Sequence, residues 1–232
     1  MRPEHRRTPA DCGRTRAALL VPLLVLGLAA AGGCDAFAWI LTKTIGPWVP
    51  EDESVAEYSF TGKSVLVLVD TEGAALSAAH PRLATVLAER VIKTLADHHA
   101  AGPLVPAHGV DAARRAEPDF ERWTIVQAGK YFNVDLVLHV QATEFRLRDS
   151  PESTVFNGSG EAVVQVVSTE SAERVWPVLA SARIVRVVSM PGTEPEEATE
   201  MEQIMTDGLA DKIARYFFTY KKSELPMRPK VR

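Results

Sequence analysis

The sequence predicts a single α/β (α+β) domain, a mixed sheet of about five strands with a C-terminal β-hairpin and covering helices, including a long C-terminal helix. Three observations lead there. Two short apolar runs, Val65 to Val69 and Val134 to Val140, are rich in β-branched residues and too short for ordinary helices, as in strands covered on both faces. Two stretches, Leu83 to Leu95 and Met201 to Tyr220, carry apolar residues at helical spacing. Two long alternating segments, 155–168 and 175–188, flank a polar turn and read as a hairpin.

Taken in order, Lys63 to Asp70 is the first strand, ended by Asp70-Thr71-Glu72-Gly73. Pro81 sits at the first position of a helix carrying Leu83, Val86, Leu87, Val91 and Leu95, which Gly102-Pro103 stops. Leu104 to Val110 contains Pro106 and is an edge strand at best. Asp111 caps a short helix through Arg115, and Thr124 to Phe132 forms another, with Ile125, Ala128 and Phe132 inward. The central strand, Asn133 to Arg148, changes its buried parity after Val140, because Phe145 and Leu147 are apolar where Glu144, Arg146 and Arg148 are not; a bulge near Thr143 accounts for this.

In the hairpin, Phe156, Ala162, Val164 and Val166 share one face of the first strand. On the second, Trp176, Val178, Ala180, Ala182, Ile184 and Val188 share a face, with Pro177 near the strand start. Thr193 and Glu196 have capping-box spacing for the last helix, whose stripe is Met201, Ile204, Met205, Leu209, Ile213, Phe217 and Tyr220. Lys212, Arg215, Lys221 and Lys222 gather at its other end. The basic segment 223–232, with two prolines, reads as a flexible tail.

At 232 residues, the chain has room for one domain of about 150 residues plus extras. The net charge of −4 is uneven: the first 33 residues carry five Arg against Glu4 and Asp11, a balance of +3, which leaves −7 for the rest. So acidic a body excludes nucleic acid as a partner.

The N-terminus reads as an address. Arg2, Arg6, Arg7, Arg14 and Arg16 precede an apolar run from Ala17 to Ala31, the length of a signal-peptide core and short for a membrane span. The run ends in Ala31-Gly32-Gly33-Cys34, which resembles the lipobox of bacterial lipoproteins, although Ala31 stands where Leu is usual. That resemblance implies cleavage before Cys34 and acylation of its thiol. Cys12 would leave with the leader, so that Cys34 is the only cysteine remaining. The alternative, an uncleaved anchor from Ala17 to Leu41, places Asp35 within the span at a cost of about 3 kcal/mol. Asp35 also occupies the position that, in proteobacterial lipoproteins, retains the protein at the inner membrane. Residues 1–33 are then a signal peptide, 34–57 a lipidated tether, 58–222 the domain and 223–232 the tail. Within the tether, Phe37, Trp39, Ile40, Leu41 and Trp48 suit a lipid headgroup boundary, or equally a flap on the domain or a partner.

Motifs for chemistry are wanting. Gly62-Lys63-Ser64 is no phosphate loop, since Glu57 stands where glycine is required and the motif opens a strand. Gly158-Ser159-Gly160 lacks the flanks of a nucleophile elbow and marks a bulge or a close approach. His98, His99 and His108 have no paired spacing on one helix face; they could meet near one sheet edge as metal ligands, but read more simply as exposed residues favouring the helix C-terminus, and His139 reads as a hydrogen-bonded rim or core residue. No metal, cofactor or catalytic residue is assigned.

The order of signal, lipobox, tether, strand, helix and central strand, then a hairpin bearing Val175-Trp176, resembles a superfamily of envelope lipoproteins. It includes the penicillin-binding-protein activator lipoprotein, the curli-secretion lipoprotein and the N-terminal domain of the Tol translocation protein. Its central strand commonly reads Gly-Ala-Asp-Tyr-Val followed by Gly-Glu-Val, and its hairpin ends in Gly-x-x-Val-Trp. Val134-Asp135-Leu136-Val137 matches the first; His139 and Ala172 stand at or near frequent glycines. The resemblance covers roughly residues 58 to 220. It implies a non-enzymatic interaction or assembly module, anchored by Cys34 to a membrane, facing the periplasm, and binding an envelope protein or copies of itself. The alternative is a subunit of a secretion or export apparatus in which Phe37 to Leu41 and part of the hairpin rearrange on oligomerisation. A hydrolase or ligand-binding enzyme is a third reading, without a supporting constellation.

Overall fold

The computed structural model describes residues 53–150, 152–189 and 197–222. The elements run β1 (Glu53–Ser54), β2 (Val65–Thr71), α1 (Ala74–Ala79), α2 (Leu83–Asp97), α3 (Ala107–Ala116), a 3-10 turn (Phe120–Arg122), α4 (Ile125–Tyr131), β3 (Leu136–Arg146), β4 (Ser159–Ser168), β5 (Arg174–Trp176), β6 (Arg183–Val188), α5 (Ala198–Ala214) and β7 (Tyr220–Lys221). Five strands form a mixed sheet in the order β2-β3-β4, with β5 and β6 both on the outer edge of β4; β2 is parallel to β3 and the other pairs are antiparallel. The α/β class and strand number expected from the sequence hold.

One face of this sheet is closed. Val65, Val67 and Val69 of β2, Leu136, Leu138 and Val140 of β3, and Ala162, Val164 and Val166 of β4 pack against Leu87, Val91 and Leu95 of α2 and Leu209 and Ile213 of α5. The opposite face is covered over β2 and β3 alone, where Leu66, Leu68 and Val137 meet Val110 and Ala113 of α3, Phe120, and Ala128 of α4. The double coverage explains the unbroken apolar runs of these two strands.

The register shifts between Ala142 and Glu144, so the bulge expected near Thr143 is present and Phe145 turns into the core with Met201 and Met205. Gly158 is a close approach, as expected of that motif: a Cβ there would lie 2.6 Å from Met205 Cγ and Sδ and 2.8 Å from Met201 Sδ. Asp135, in the stretch that resembles the superfamily's central strand, clasps the two parallel strands at their start. Its Oδ2 accepts from the Ser64 amide (2.7 Å) and hydroxyl (2.8 Å), and its own amide donates to Ser64 Oγ.

Several expectations need correction. Pro81 lies ahead of α2, whose first residue is Leu83, and an unforeseen short helix, α1, precedes it. Leu104 makes a single bridge to Val65, and from Ala107 the chain is already helical. Asp111 is thus inside α3, not its cap, and accepts the Thr85 hydroxyl instead. Thr124 is not in α4 but caps it, in a capping box with Gln127.

The second hairpin strand is broken into β5 and β6, and the break reverses its parity. Trp176 and Val185 are each 3% exposed, whereas Val178 (80%), Ile184 (54%) and Val188 (65%), placed on the Trp176 face by sequence, look to solvent. The last helix ends at Ala214; Phe217 stacks on Phe60 beyond it, Tyr220 belongs to β7, and Ile204 is partly exposed. The capping box Thr193/Glu196, the tail 223–232 and all of 1–52 lie outside the described residues.

Candidate functional site

The doubly covered part of the sheet gives way to polar residues along the same face, beginning with Asp70 of β2 and His139 of β3. Arg114, from α3, donates through Nη2 to the Val69 carbonyl and to Asp70 Oδ1, each at 2.8 Å. Asp70 Oδ2 meets His139 Nε2 at 3.0 Å, and His139 Nδ1 meets Gln165 Nε2 of β4 at 3.3 Å. The result is a row, Arg114–Asp70–His139–Gln165, running from α3 across three strands. Burial raises the Asp70 pKa, but the hydrogen bond and charge of His139, with those of Arg114, outweigh it and hold the carboxyl below its ordinary range.

A cleft of about 630 Å³ opens beyond the carboxyl end of β2, the usual ligand position in open α/β sheets. Asp70, Thr71, Ser77, Thr85, Asp111 and Arg114 supply its polar wall, and Phe120 and Trp123 its aromatic one. Most of its polar groups pair with one another, but the buried Arg114 Nε has no hydrogen-bond partner. Arg114 is held by Asp70, with Glu121 3.6 Å from its Nε, and Asp111 is held by Thr85. His139 is engaged through both ring nitrogens, by Asp70 on one side and Gln165 on the other, so the row links α3 to three strands.

Past Gln165, the same face carries Val163 of β4 beside Ile184 of β6, the Glu161–Arg186 ion pair and the exposed Val188. The break between β5 and β6 lies at this edge. Val166 pairs with Trp176 and Val164 with Arg183, so residues 177–182 stand opposite Gln165 alone and project from the sheet. Val178 and Leu179, at the projection, are 80% and 101% exposed. Arg174 Nη1 donates to the Ser181 carbonyl at 2.7 Å and braces it, and Arg183, just after it, bonds Glu57 Oε1 at 2.7 Å.

None of the residues assigned from sequence to lipidation, cleavage, sorting or membrane contact, namely Cys34, Ala31, Gly32, Gly33, Asp35, Phe37, Trp39, Ile40, Leu41 and Trp48, falls among the described residues. His98 stacks on Phe218 and His108 lies in α3. Among the described residues, no three His, Cys, Asp or Glu side chains are placed to hold a metal, and no helix is long and apolar enough to cross a membrane. Sequence reading missed the Asp70–His139 pair, because the partners are 69 residues apart and only the parallel register unites them. It missed the projection too, for which Pro177 was the available signal.

The described residues thus define a mixed α/β domain with one face closed and the other closed only in part. No family model matches the chain, and no curated protein sequence does. Solved structures similar to it include lipoprotein GNA1162 from Neisseria meningitidis (13% identity, 65% of this chain and 97% of that one, TM-score 0.41). Others are the PelC dodecamer from Paraburkholderia phytofirmans (11%, 72% and 95%, TM-score 0.42) and the LpoB C-terminal domain from Salmonella enterica (14%, 63% and 94%, TM-score 0.30). Bacterial lipoproteins, the kind of protein the sequence resembles, are thus among its structural neighbours.

Proposed function

We propose that this chain is a lipid-anchored, non-enzymatic interaction module of the bacterial cell envelope, facing the periplasm and binding an envelope protein or copies of itself. The observation that carries the reading is Ala31-Gly32-Gly33-Cys34 at the end of an apolar run, in a chain whose only other cysteine, Cys12, precedes that run. Acyl chains on Cys34 would each add about 0.8 kcal/mol per buried methylene, so two or more hold the protein stably. The internal pairing of Arg114 with Asp70 and of Asp111 with Thr85 within the cleft supports binding over catalysis. Residues 34–57 serve as the tether, and its end is already tied down: β1 pairs with β7, and the Glu57 and Tyr58 amides donate to the Tyr216 carbonyl.

The test is the intact mass of the protein purified from envelope membranes, beside a Cys34→Ala form. A mass of 34–232 plus acyl groups, lost in the variant, is the expected result. A full-length, unacylated chain still bound to membrane would overturn the reading and make Ala17 to Leu41 a spanning anchor.

A further inference from the structure

We propose that the cleft beyond the carboxyl end of β2 binds an organic cation, an alkylammonium group seated between Asp111 and the aromatic wall. The proposal does not depend on the lipid anchor, since every residue it uses lies in the folded domain.

The charges around the cleft carry the argument. Asp70, Asp111 and Glu121 line it against a single cation, Arg114, so three carboxylates and one guanidinium leave a formal balance of −2. Arg114 is already committed, because its Nη2 donates to the Val69 carbonyl and to Asp70 Oδ1. Its Nε lies 3.6 Å from Glu121, beyond hydrogen-bond length, and Glu121 is 77% exposed. Asp111 is the carboxylate left over. The Thr85 hydroxyl lies 3.1 Å from each of its oxygens and orients it, but a hydroxyl neutralises no charge. Among the described residues, no Lys, Arg or His pairs with Asp111.

A ligand that answers this site brings positive charge. Phosphates and other anions would meet the excess of carboxylates. A bare metal ion fits no better, since no three His, Cys, Asp or Glu side chains among the described residues are placed to hold one. Phe120 and Trp123 select an organic cation, because aromatic rings attract an ammonium and shelter its alkyl stem. The room is there: the cleft, about 630 Å³, lies within the roughly 300–1,000 Å³ of small-molecule sites. The short helix α1, which buries none of its residues, brings only the small side chains of Ala74 and Ser77 to the cleft and does not fill it. A free alkylamine and the lysine side chain of a partner protein offer this same chemistry.

Saturation-transfer difference NMR on the full chain in nonionic detergent tests the site, with butylamine as the probe, butanol as its neutral counterpart and butyrate as its anionic one. Butylamine is expected to bind about tenfold more tightly than either counterpart, and less tightly as salt is raised. Asp111→Asn, which keeps an acceptor for Thr85, should weaken butylamine binding about tenfold, and Trp123→Leu about threefold. Glu152→Gln, the same change of charge at an exposed position outside the cleft, should leave it unaltered. Nα-acetyl-lysine methylamide identifies the source: tighter binding than butylamine assigns the occupant to a lysine side chain, weaker binding assigns it to a free amine, and both results uphold the site. Butylamine that binds no more tightly than butanol, or equally to the parent and to Asp111→Asn, would overturn the inference.

Discussion

Changing Gly158 to Ala should destabilise the domain through Met205, and the size of the effect follows from distances. The added Cβ falls 2.6 Å from Met205 Cγ and Sδ, an overlap too deep to relieve at the far end of the side chain, because Cγ lies next to the helix backbone. Met201 Sδ, at 2.8 Å, blocks the opposite escape. Overpacking of this kind costs about 1–3 kcal/mol, while replacing a glycine returns about 0.4–1 kcal/mol from the unfolded chain. The net loss is roughly 1–2 kcal/mol, a drop of about 2–8 °C in melting temperature for a domain of this size. Urea denaturation followed by circular dichroism measures it. Met205→Ala alone removes a fully buried side chain, at about 2–5 kcal/mol. In that background the glycine substitution should be neutral or stabilising, so the double variant is less damaged than the sum of the singles by at least about 1 kcal/mol. Additive losses, or a Gly158→Ala protein as stable as the parent, would refute the close approach of β4 and α5.

Ala172 sits at φ 58°, a left-handed conformation that glycine adopts freely, so Ala172→Gly should stabilise the domain by about 0.5–1 kcal/mol, read as a rise in urea midpoint. Val185→Asp should abolish folding by burying an unpaired carboxylate, whereas Ile184→Asp should stay within about 0.5 kcal/mol of the parent; soluble yield and melting temperature separate the two parities of β6. Asp70 has a depressed folded pKa, so its contribution is complete above the ordinary carboxylate range, near about 4, and is lost as pH falls through the lower folded value. The urea midpoint of the parent should therefore decline more steeply on acidification than that of Asp70→Asn, which should be the less stable of the two at neutral pH.

The layout of the sheet was legible because burial on two faces leaves a pattern no surface element imitates: Val65 to Val69 and Leu136 to Val140 had to be central. The bulge was legible as well, since Ala142 and Phe145 are both buried at positions of opposite parity. The second hairpin strand misled because Val178, Ile184 and Val188 are apolar without being buried, and alternation cannot register a six-residue excursion. At α3, Pro106 suggested a strand edge but is the residue just before the helix, and Asp111 suggested a cap where a tertiary bond from Thr85 uses it. Ala172 did carry a signal: it stands near a frequent glycine of the superfamily it resembles, and its positive φ gives the physical reason for glycine there. The Arg114–Asp70–His139–Gln165 row had no local signature at all, because each link crosses between elements.

The parallel pairing of β2 with β3 sets a timetable for the chain. Val65 is aligned with Leu136, 71 positions later, while β3 and β4 meet through a ribbon whose nearest partners, Arg146 and Ser159, are 13 apart. Closing the longer loop costs about 1.5 kcal/mol more than closing the shorter one. The ribbon is therefore the natural early structure, and β2 docks on it afterwards. During synthesis at about 5–20 residues per second, Val65 to Val69 waits roughly 4–14 s for its neighbour to be made. Throughout that interval an uncharged, β-branched run lies open to other chains, so the yield of folded protein should respond to expression rate and to holding chaperones more than to final stability.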